Sequence, residues 1–426
     1  MARESALSKG LRKWAKQGGD LEKALPSRGD SPISTEAEVE ALCAALDAYR
    51  ADPTRDATRV VGSPMHTLTA FFQEVATEEA QHALRRQGLA RLRVWVEDAL
   101  GGKPHSEDEI LFILKILGMY GEAQDAELIA KAARHPLSPD AFMWSIVLGQ
   151  FNDNHPQLAT LISALKEPLP PGFIRVSFLD MANQATIAGR IPNHPFDTKF
   201  GHEALEAWLK DTRAEHFSYA RSATAALPFI AQEVRQGLLA IALTHPDVSI
   251  QMEAAWAQAK SGDEAGLAAL VRYAGDPIFG QTAQSYLEEL GHADKIPHEA
   301  QQPDFQALSA MAAWLAHPME YGRPPKALEI FDSRVLYWPP TDDERGLWLI
   351  KYTYEDKETG EPDSGVGMVG SVTFALFGEA TCDLTPEELY GLHCCWELKN
   401  NGDPRAPKKR SPKAGIRILV KHGNEF

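Results

Sequence analysis

Apolar side chains recur with a helical period over much of the chain. From about Ser34 to Leu290 they return every three or four positions, and Gly, Pro and His-Pro pairs separate the runs. Two segments, Thr35–Glu38 and Ser106–Glu109, fit capping boxes, in which a hydroxyl and a carboxylate satisfy free amides at a helix start. Cys43 belongs to the apolar stripe after the first box, so we interpret it as a small core residue. The pattern predicts a series of helices.

The apolar period changes to two after about Lys326, which predicts strands. Four segments are rich in β-branched and aromatic residues and bounded by turn residues: ALEIFDSRVLYWPP, GLWLIKYTYED, MVGSVTFALFG and GIRILVKH. Before the last of them, Thr385–Glu388 fits a capping box with Pro386 at the first helical position. The order strand, strand, strand, helix, strand predicts an antiparallel α+β domain over residues 326–426. A helix in residues 297–325 would link this domain to the preceding helices and cap them.

Two segments of the helical region match each other. An aspartate, an alanine and a glycine coincide when residues 247–262 are aligned with residues 276–291: Asp247 with Asp276, Ala254 with Ala283, and Gly262 with Gly291. The aspartate can cap a helix start, the alanine lets a neighbouring helix approach, and the glycine can end the helix in a left-handed conformation. This pattern resembles the HEAT repeat, especially the short form of PBS-lyase HEAT-like proteins. The resemblance covers residues 244–291 well and extends back to about Gly118 in a less regular register.

The resemblance implies an all-α, HEAT-like α-solenoid over residues 118–296, in which stacked helical hairpins share a continuous core. The helical period alone leaves an irregular helical bundle open as the alternative. Residues 1–117 add an N-terminal helical region without a visible repeat. The predicted fold class is therefore multidomain: this helical region, the solenoid, a linker with a capping helix over residues 297–325, and a small α+β domain with an antiparallel sheet.

Composition and charge are those of a soluble globular protein with an acidic surface. The chain has 59 acidic and 43 basic residues and a formal net charge of −16, which disfavours nucleic acid as a partner. Four cysteines are too few to form a disulfide framework in a chain of 426 residues. This favours reduced thiols and therefore a cytoplasmic location. No apolar run approaches the length of a membrane span, and the basic N-terminus lacks the apolar run of a secretory signal. We therefore expect no membrane association.

The segment SGVGMVGSV, residues 364–372, fits two glycine-rich nucleotide motifs, G-x-G-x-x-G and the kinase loop G-x-G-x-x-G-x-V. The dinucleotide motif requires a helix after the third glycine, whereas Ser371 to Phe377 have the pattern of a strand. A kinase also requires a V-A-I-K-type lysine, an H-R-D loop and a D-F-G aspartate, and the sequence has none of them. We interpret the glycines as part of a hairpin leading into a central strand, with Gly367 and Gly370 marking a bulge or close packing.

Cys382, His393 and Cys394 are the candidate metal ligands, since thiolates and imidazoles are the ligands that zinc prefers. The chain has no C-x-x-C pair, and the adjacent residues Cys394 and Cys395 would point about 100° apart on a helix. Cys395 can instead join the apolar face of that helix. We therefore expect no metal and no cofactor, and keep a metal or redox site as the alternative.

Two stretches are basic, although the chain as a whole has a negative net charge. The first is a cluster on one predicted helix: Arg85, Arg86, Arg91 and Arg93. The second runs from Arg405 to Lys421 without an acidic residue and includes Lys408, Lys409 and Arg410. Such stretches are typical of solvated helix faces and loops. The functional alternative is contact with an anion or with nucleic acid.

The sequence favours a non-catalytic protein–protein interaction scaffold whose partner is another protein. HEAT-like solenoids present extended surfaces, and the resemblance implies that these surfaces bind proteins. Trp256, Tyr273 and Tyr286 are the aromatic candidates for that surface. No H-E-x-x-H, G-x-S-x-G or Walker motif is present, so we assign no catalytic residue. The resemblance also leaves open an accessory or lyase-like enzyme that attaches bilin chromophores, and the basic stretches leave open a nucleic-acid-binding protein.

Overall fold

The computed structural model divides the chain into two compact units. The described residues are 4–26, 32–56, 63–135, 137–317, 319–355, 360–376 and 380–426. The first unit is Met1–Ile241 and the second is Ala242–Phe426. Most described residues are helical, and a small antiparallel sheet lies in the second unit. The prediction of a mostly helical protein with a C-terminal antiparallel sheet is confirmed, whereas the solenoid arrangement stays a prediction.

The first unit consists of helices joined by short connections. They are α1 (Ala6–Gln17), α2 (Leu21–Ala24), α3 (Glu36–Ala51), α4 (Pro64–Ala70), α5 (Glu78–Ala83), α6 (Leu89–Leu100), α7 (Glu107–Tyr120), α8 (Ala123–Ala132), α9 (Met143–Leu148), α10 (Leu158–Leu165), α11 (Gly172–Ile187), α12 (Lys199–Lys210), α13 (Phe217–Ala226) and α14 (Gln232–Ala242). None of the helices in the described ranges is both long and apolar enough to cross a membrane.

One of the two capping boxes predicted for this unit is present. Thr35 accepts a hydrogen bond from the Glu38 amide, and the Glu38 carboxylate accepts one from the Thr35 amide, as predicted. The second prediction is wrong, because the Ser106 side chain makes no capping hydrogen bond. The Glu109 carboxylate accepts hydrogen bonds from the hydroxyls of Tyr49, at 2.8 Å, and Ser63. The Glu109 carboxylate, which a capping box would bond to the Ser106 amide, thus accepts from hydroxyls of distant residues instead.

The second unit combines helices with the sheet. Its elements are α15 (Val248–Lys260), α16 (Glu264–Ala274), α17 (Gly280–Glu289), α18 (Pro303–Ala316), β1 (Ala327–Trp338), β2 (Asp343–Glu355), β3 (Pro362–Val369), β4 (Phe374–Ala375), α19 (Pro386–Asn400) and α20 (Pro412–Lys421). The capping box predicted at Thr385 is present at the start of α19, with Pro386 in the first turn.

The internal match is visible in the geometry of α15 and α17. Asp247 caps α15 by accepting from the Ser249 amide at 2.8 Å. Asp276 makes the same contact with Ile278, but in a turn that precedes α17, so it does not cap the helix itself. Both matched alanines are fully buried, and both matched glycines have positive φ, at +86° and +77°. The local interpretation of the match is confirmed apart from the cap at Asp276.

The sheet has the order β1-β2-β3-β4, and all neighbouring strands are antiparallel. The first two predicted strands correspond to β1 and β2. The third predicted strand, residues 368–378, instead spans the end of β3, a turn and β4. Its residues Phe377 and Gly378 lie outside the described residues, as does Asp356 at the end of the second prediction.

The fourth predicted strand, GIRILVKH, is wrong, because these residues belong to helix α20 and the turn after it. Ser411 caps the helix by accepting from the Ala414 amide, and Pro412 occupies its first turn. Gly415 and Leu419, four residues apart, are the buried positions, which is helical spacing. Ile416, Ile418 and Val420 favour a strand by their β propensity, but the cap and the packing against α19 stabilise a helix instead.

Helices cover both faces of the sheet. On one face, Trp338, Leu347 and Leu349 pack with α19 residues including Leu389 and Leu398. The opposite face packs against α18, with a core of Met311, Leu315, Ile350, Tyr352 and Tyr354. The alternation of buried residues along β2 therefore serves two cores at once.

The glycines of SGVGMVGSV make room for a helix and a tyrosine. A Cβ at Gly367 would collide with the Met311 side chain of α18, and a Cβ at Gly365 would collide with the Tyr352 hydroxyl. Gly370, at φ +122°, lies in the turn between β3 and β4. Close packing at Gly367 is therefore confirmed, and the glycines lie within β3 and the turn after it.

Candidate functional site

The three aromatic candidates hold helices of the second unit together. Trp256 is only 3% exposed, and its ring centre lies 5.8 Å from that of Tyr286. Tyr286 donates a hydrogen bond to the Glu253 carboxylate, and Tyr273 donates one to Gln251 at 3.3 Å. These contacts link α15 to α16 and α17. Trp256 is therefore buried between these helices, and the two tyrosines are half-buried with their hydroxyls engaged. A role of the three residues in binding a partner stays a prediction.

The arginines of the first basic stretch are engaged inside the first unit. Arg85 donates to the Tyr120 carbonyl at 3.0 Å and lies over the Tyr120 ring. Arg86 pairs with Glu36. Two anion-contact candidates thus already have partners within the first unit, and an anion contact at this stretch stays a prediction.

The second basic stretch is exposed. Lys408, Lys409 and Arg410 lie in the loop before α20. The preceding Arg405 is paired with Asp403 at 2.7 Å and with Asp342 at 2.6 Å. An anion contact at the three exposed residues stays a prediction.

The candidate metal ligands do not converge. Cys382 is exposed in a turn before α19, Cys394 faces the sheet core, and His393 is fully buried beside Phe374. In the described part of the chain, no three His, Cys, Asp or Glu side chains are placed to hold a metal ion. Burial raises the pKa of the Cys394 thiol well above its usual range, which keeps it protonated. The geometry gives no support for a metal or redox site at these residues.

His393 makes the stability of the second unit depend on pH. Neither ring nitrogen has a hydrogen-bond partner among the described residues, and burial lowers the pKa of His393 to about 3, with the charge of Arg410 adding to the effect. Between pH 3 and the ordinary pKa near 6.5, the unfolded chain binds a proton that the folded chain does not, so stability falls as pH falls. Through this residue, lowering the pH from 7 to 5 is expected to decrease the free energy of unfolding by about 2 kcal/mol.

Replacement of His393 by leucine tests this dependence. We expect His393→Leu to remove about 2 kcal/mol of the difference in the free energy of unfolding between pH 7 and pH 5, measured by urea unfolding. His298→Leu, at an exposed histidine of the same unit, is the control and should leave the difference unchanged. A His393→Leu variant with the wild-type pH dependence would show that the buried ring does not carry the effect.

The sheet has one short edge and one long edge. β4 forms the short edge with two residues, and the ring of its Phe374 stacks on Trp396 at 3.7 Å. β1 forms the other edge with twelve residues. A long edge strand presents unpaired backbone groups that another strand can bind.

The segment after α20 identifies which groups of β1 point outward. The Asn424 side chain accepts from the Tyr337 amide and donates to the Tyr337 carbonyl, both at 2.9 Å. Since alternate residues of an antiparallel strand direct their backbone groups to the same side, Ser333 and Val335 also point outward. The register is unbroken from Asp332 to Trp338, after a bulge between Ile330 and Asp332. We call the backbone groups of Ser333, Val335 and Tyr337 the outer edge of β1.

The outer edge is lined by exposed apolar side chains. Val335 is 72% exposed, and Phe331, at the bulge, is 39% exposed. The Phe426 ring lies 5.8 Å from the Arg334 guanidinium, which also pairs with Asp332 and Glu387. Among the described residues, the backbone groups of Ser333 and Val335 have no hydrogen-bond partner. Within the part of the chain that the structure describes, only the Tyr337 end of the outer edge is therefore occupied.

Sequence reasoning missed this edge. The apolar pattern of β1 predicts a strand. Whether that strand lies at the edge of the sheet depends on the order of the strands, and the pattern along one segment does not give this order. The sequence shows Val335 as an ordinary β-branched strand residue beside Leu336, and only the structure shows that Leu336 is buried and Val335 exposed. Searches of protein-family models, curated proteins and solved structures found no match to this chain.

Proposed function

We propose that this protein is a non-catalytic binding protein and that the outer edge of β1 takes up an extended segment of a partner protein as an added strand. The observation that carries the proposal is the pair of hydrogen bonds between the Asn424 side chain and the Tyr337 backbone, one accepted and one donated by Asn424. The side-chain amide of Asn424 accepts one hydrogen bond and donates one, as the backbone of a neighbouring strand would. The same donors and acceptors at Ser333 and Val335 are open to a partner.

The partner chemistry follows from the side chains beside the edge. Val335 and Phe331 are apolar and exposed, so an added strand that places apolar residues beside them would remove both from water. The charged groups of this part of β1 are already paired, Arg334 with Asp332 and Glu387. We therefore infer an extended partner segment with alternating apolar residues, bound mainly through its backbone.

We also propose that the helices before the sheet act as a HEAT-like support for this site. α15 packs on α16, and α16 packs on α17, in the consecutive manner of stacked hairpins. The matched alanines of α15 and α17 are both fully buried, which is expected of small residues between stacked helices.

A proline at the outer edge tests the proposal. Val335→Pro removes an outward amide without removing a hydrogen bond to β2, a position at which edge strands accept proline. Extended peptides selected from a random phage-displayed library on the full chain are the probe. We expect Val335→Pro to weaken their binding by about tenfold or more, because the variant loses a backbone hydrogen bond and adds a steric clash. Val335→Thr, which keeps the amide and the shape and changes one methyl group to a hydroxyl, should weaken binding far less than Val335→Pro.

A modification of the peptide tests the same contact without a protein variant. N-methylation at alternate peptide positions should abolish binding, while methylation at the intervening positions should have little effect. Equal tolerance at every position, or equal binding by Val335→Pro, would contradict strand addition. A wild-type dimer in light scattering that Val335→Pro converts to a monomer would instead assign the edge to a second copy of the chain and overturn the proposed partner.

A further inference from the structure

The first unit contains a concave pocket of about 670 Å³. The segment after α10, residues 166–169, forms one wall together with Arg175 of α11. The rest of the lining comes from Thr198 and α12, where Phe200 lies at the surface and Ala204 and Ala207 have small side chains. Pockets that bind small molecules have volumes of about 300–1,000 Å³ and mostly apolar walls with a few polar groups.

Arg134 fixes the wall formed by residues 166–169. Its Nε donates to the Pro168 carbonyl at 2.7 Å. Its two terminal nitrogens donate to the carbonyls of Ala164, at 2.5 Å, and Ala130, at 3.1 Å. One guanidinium thus ties the pocket segment to α8 and α10, so this wall does not have to be ordered by a ligand.

Arg175 is the half-buried charge of the pocket. Its Nε donates to the Pro170 carbonyl at 2.8 Å, which leaves the terminal nitrogens available. No carboxylate in the described ranges lies within ion-pair distance of it, and burial lowers its pKa without abolishing its charge. The other charged groups of the pocket, Lys166, Glu167 and Glu203, are all exposed and therefore better screened by water.

Phe200 adds an apolar surface at the opening. Its side chain is 65% exposed, which leaves most of an aromatic ring in water beside a concave apolar wall. A ligand that covers this ring and extends along Leu169 and Ala204 would remove apolar surface from water.

We propose that this pocket binds a small organic acid, with its apolar body against Phe200, Leu169 and Ala204 and its carboxylate on the terminal nitrogens of Arg175. The planar guanidinium matches a carboxylate with two parallel hydrogen bonds. The ligand supplies the negative charge that no described residue provides for Arg175. This site lies in the first unit and does not depend on the function proposed for β1.

The test uses the fluorescent probe 1-anilinonaphthalene-8-sulfonate, which has an aromatic body and one anionic group. We expect saturable binding of the probe to the full chain and its displacement by decanoate but not by the neutral decanamide. Arg175→Gln should weaken decanoate binding by about tenfold or more. Ala207→Trp, which fills the pocket from an exposed helix position, should abolish it.

Two matched variants control for surface effects. Arg190→Gln removes an exposed arginine of the same unit, and Phe142→Ala removes an aromatic ring that is 71% exposed outside the pocket. Both should bind decanoate like the wild type, whereas Phe200→Ala should weaken binding severalfold. Circular dichroism establishes that each variant is folded. Equal displacement by decanoate and decanamide, or equal decanoate affinity in the wild type, Arg175→Gln and Ala207→Trp, would overturn the proposal.

Discussion

Replacing Gly415 with alanine is expected to lower the free energy of unfolding of the second unit by about 3 kcal/mol. Helices α19 and α20 pack closely where Gly391 faces Gly415, and a Cβ at Gly415 would overlap the backbone of Gly391. The obstructing atoms are backbone atoms, so no side-chain rotation relieves the clash. The helices must separate, and Leu419 of α20 would then withdraw from the sheet core.

The same substitution at Gly237 should have the opposite sign. Gly237 lies in α14, and a Cβ there would have no atom within 4 Å. Alanine in a helix interior is favoured over glycine by about 0.5–1 kcal/mol, so Gly237→Ala should stabilise the chain slightly. Urea unfolding measures both variants, and hydrogen exchange of β1 to β3 assigns the Gly415 effect to the second unit. A Gly415→Ala variant as stable as the wild type would show that the two helices do not meet at these glycines.

Features specified by short local patterns were predictable from the sequence. The capping boxes at Thr35 and Thr385 form because the hydroxyl and the carboxylate lie three residues apart and reach each other within one turn. The box at Ser106 fails although its spacing is the same, because Tyr49 and Ser63 bring hydroxyls to Glu109. The sequence cannot show such distant partners.

The misassigned segment at α20 has the same physical origin. Ile416, Ile418 and Val420 alternate as in a strand, while Ser411, Pro412 and the pair Gly415 and Leu419 specify a helix. The close approach of Gly415 to Gly391 decides between the two patterns, and it depends on the fold.

The proposed sites depend on distant parts of the chain. The pocket joins residues 166–169 to Arg175 and to α12, and no motif has that spacing. Trp256 shows the same limit for a single residue. Its place in the helical pattern does not tell whether its side chain is buried or exposed, and the structure shows that it is buried. The outer edge of β1 likewise exists only because β2 pairs with one side of the strand.

The ion pair of Arg93 with Asp125 should contribute more to stability than any other pair in the first basic stretch. Asp125 is fully buried, and Arg93 donates two hydrogen bonds to its carboxylate at 2.6 and 2.9 Å, with a third to Glu122. Arg93→Met is expected to lower the free energy of unfolding by about 3 kcal/mol or more, because it leaves a buried carboxylate without its cation. Arg91→Met, two residues away on α6, breaks an exposed pair with Asp47 and should cost less than about 1 kcal/mol.

The pH dependence of Arg93→Met distinguishes a lost ion pair from lost packing. Burial already raises the pKa of Asp125, and removal of the arginine should raise it further. The folded variant then binds a proton at a higher pH than the unfolded chain does, so its deficit should shrink as the pH falls from 7 to 5. Urea unfolding at both pH values measures this, and Asp125→Leu combined with Arg93→Met should recover part of the stability by removing the buried charge. A deficit that stays constant with pH and persists in the double variant would mean that Arg93 acts through its aliphatic chain, by packing alone.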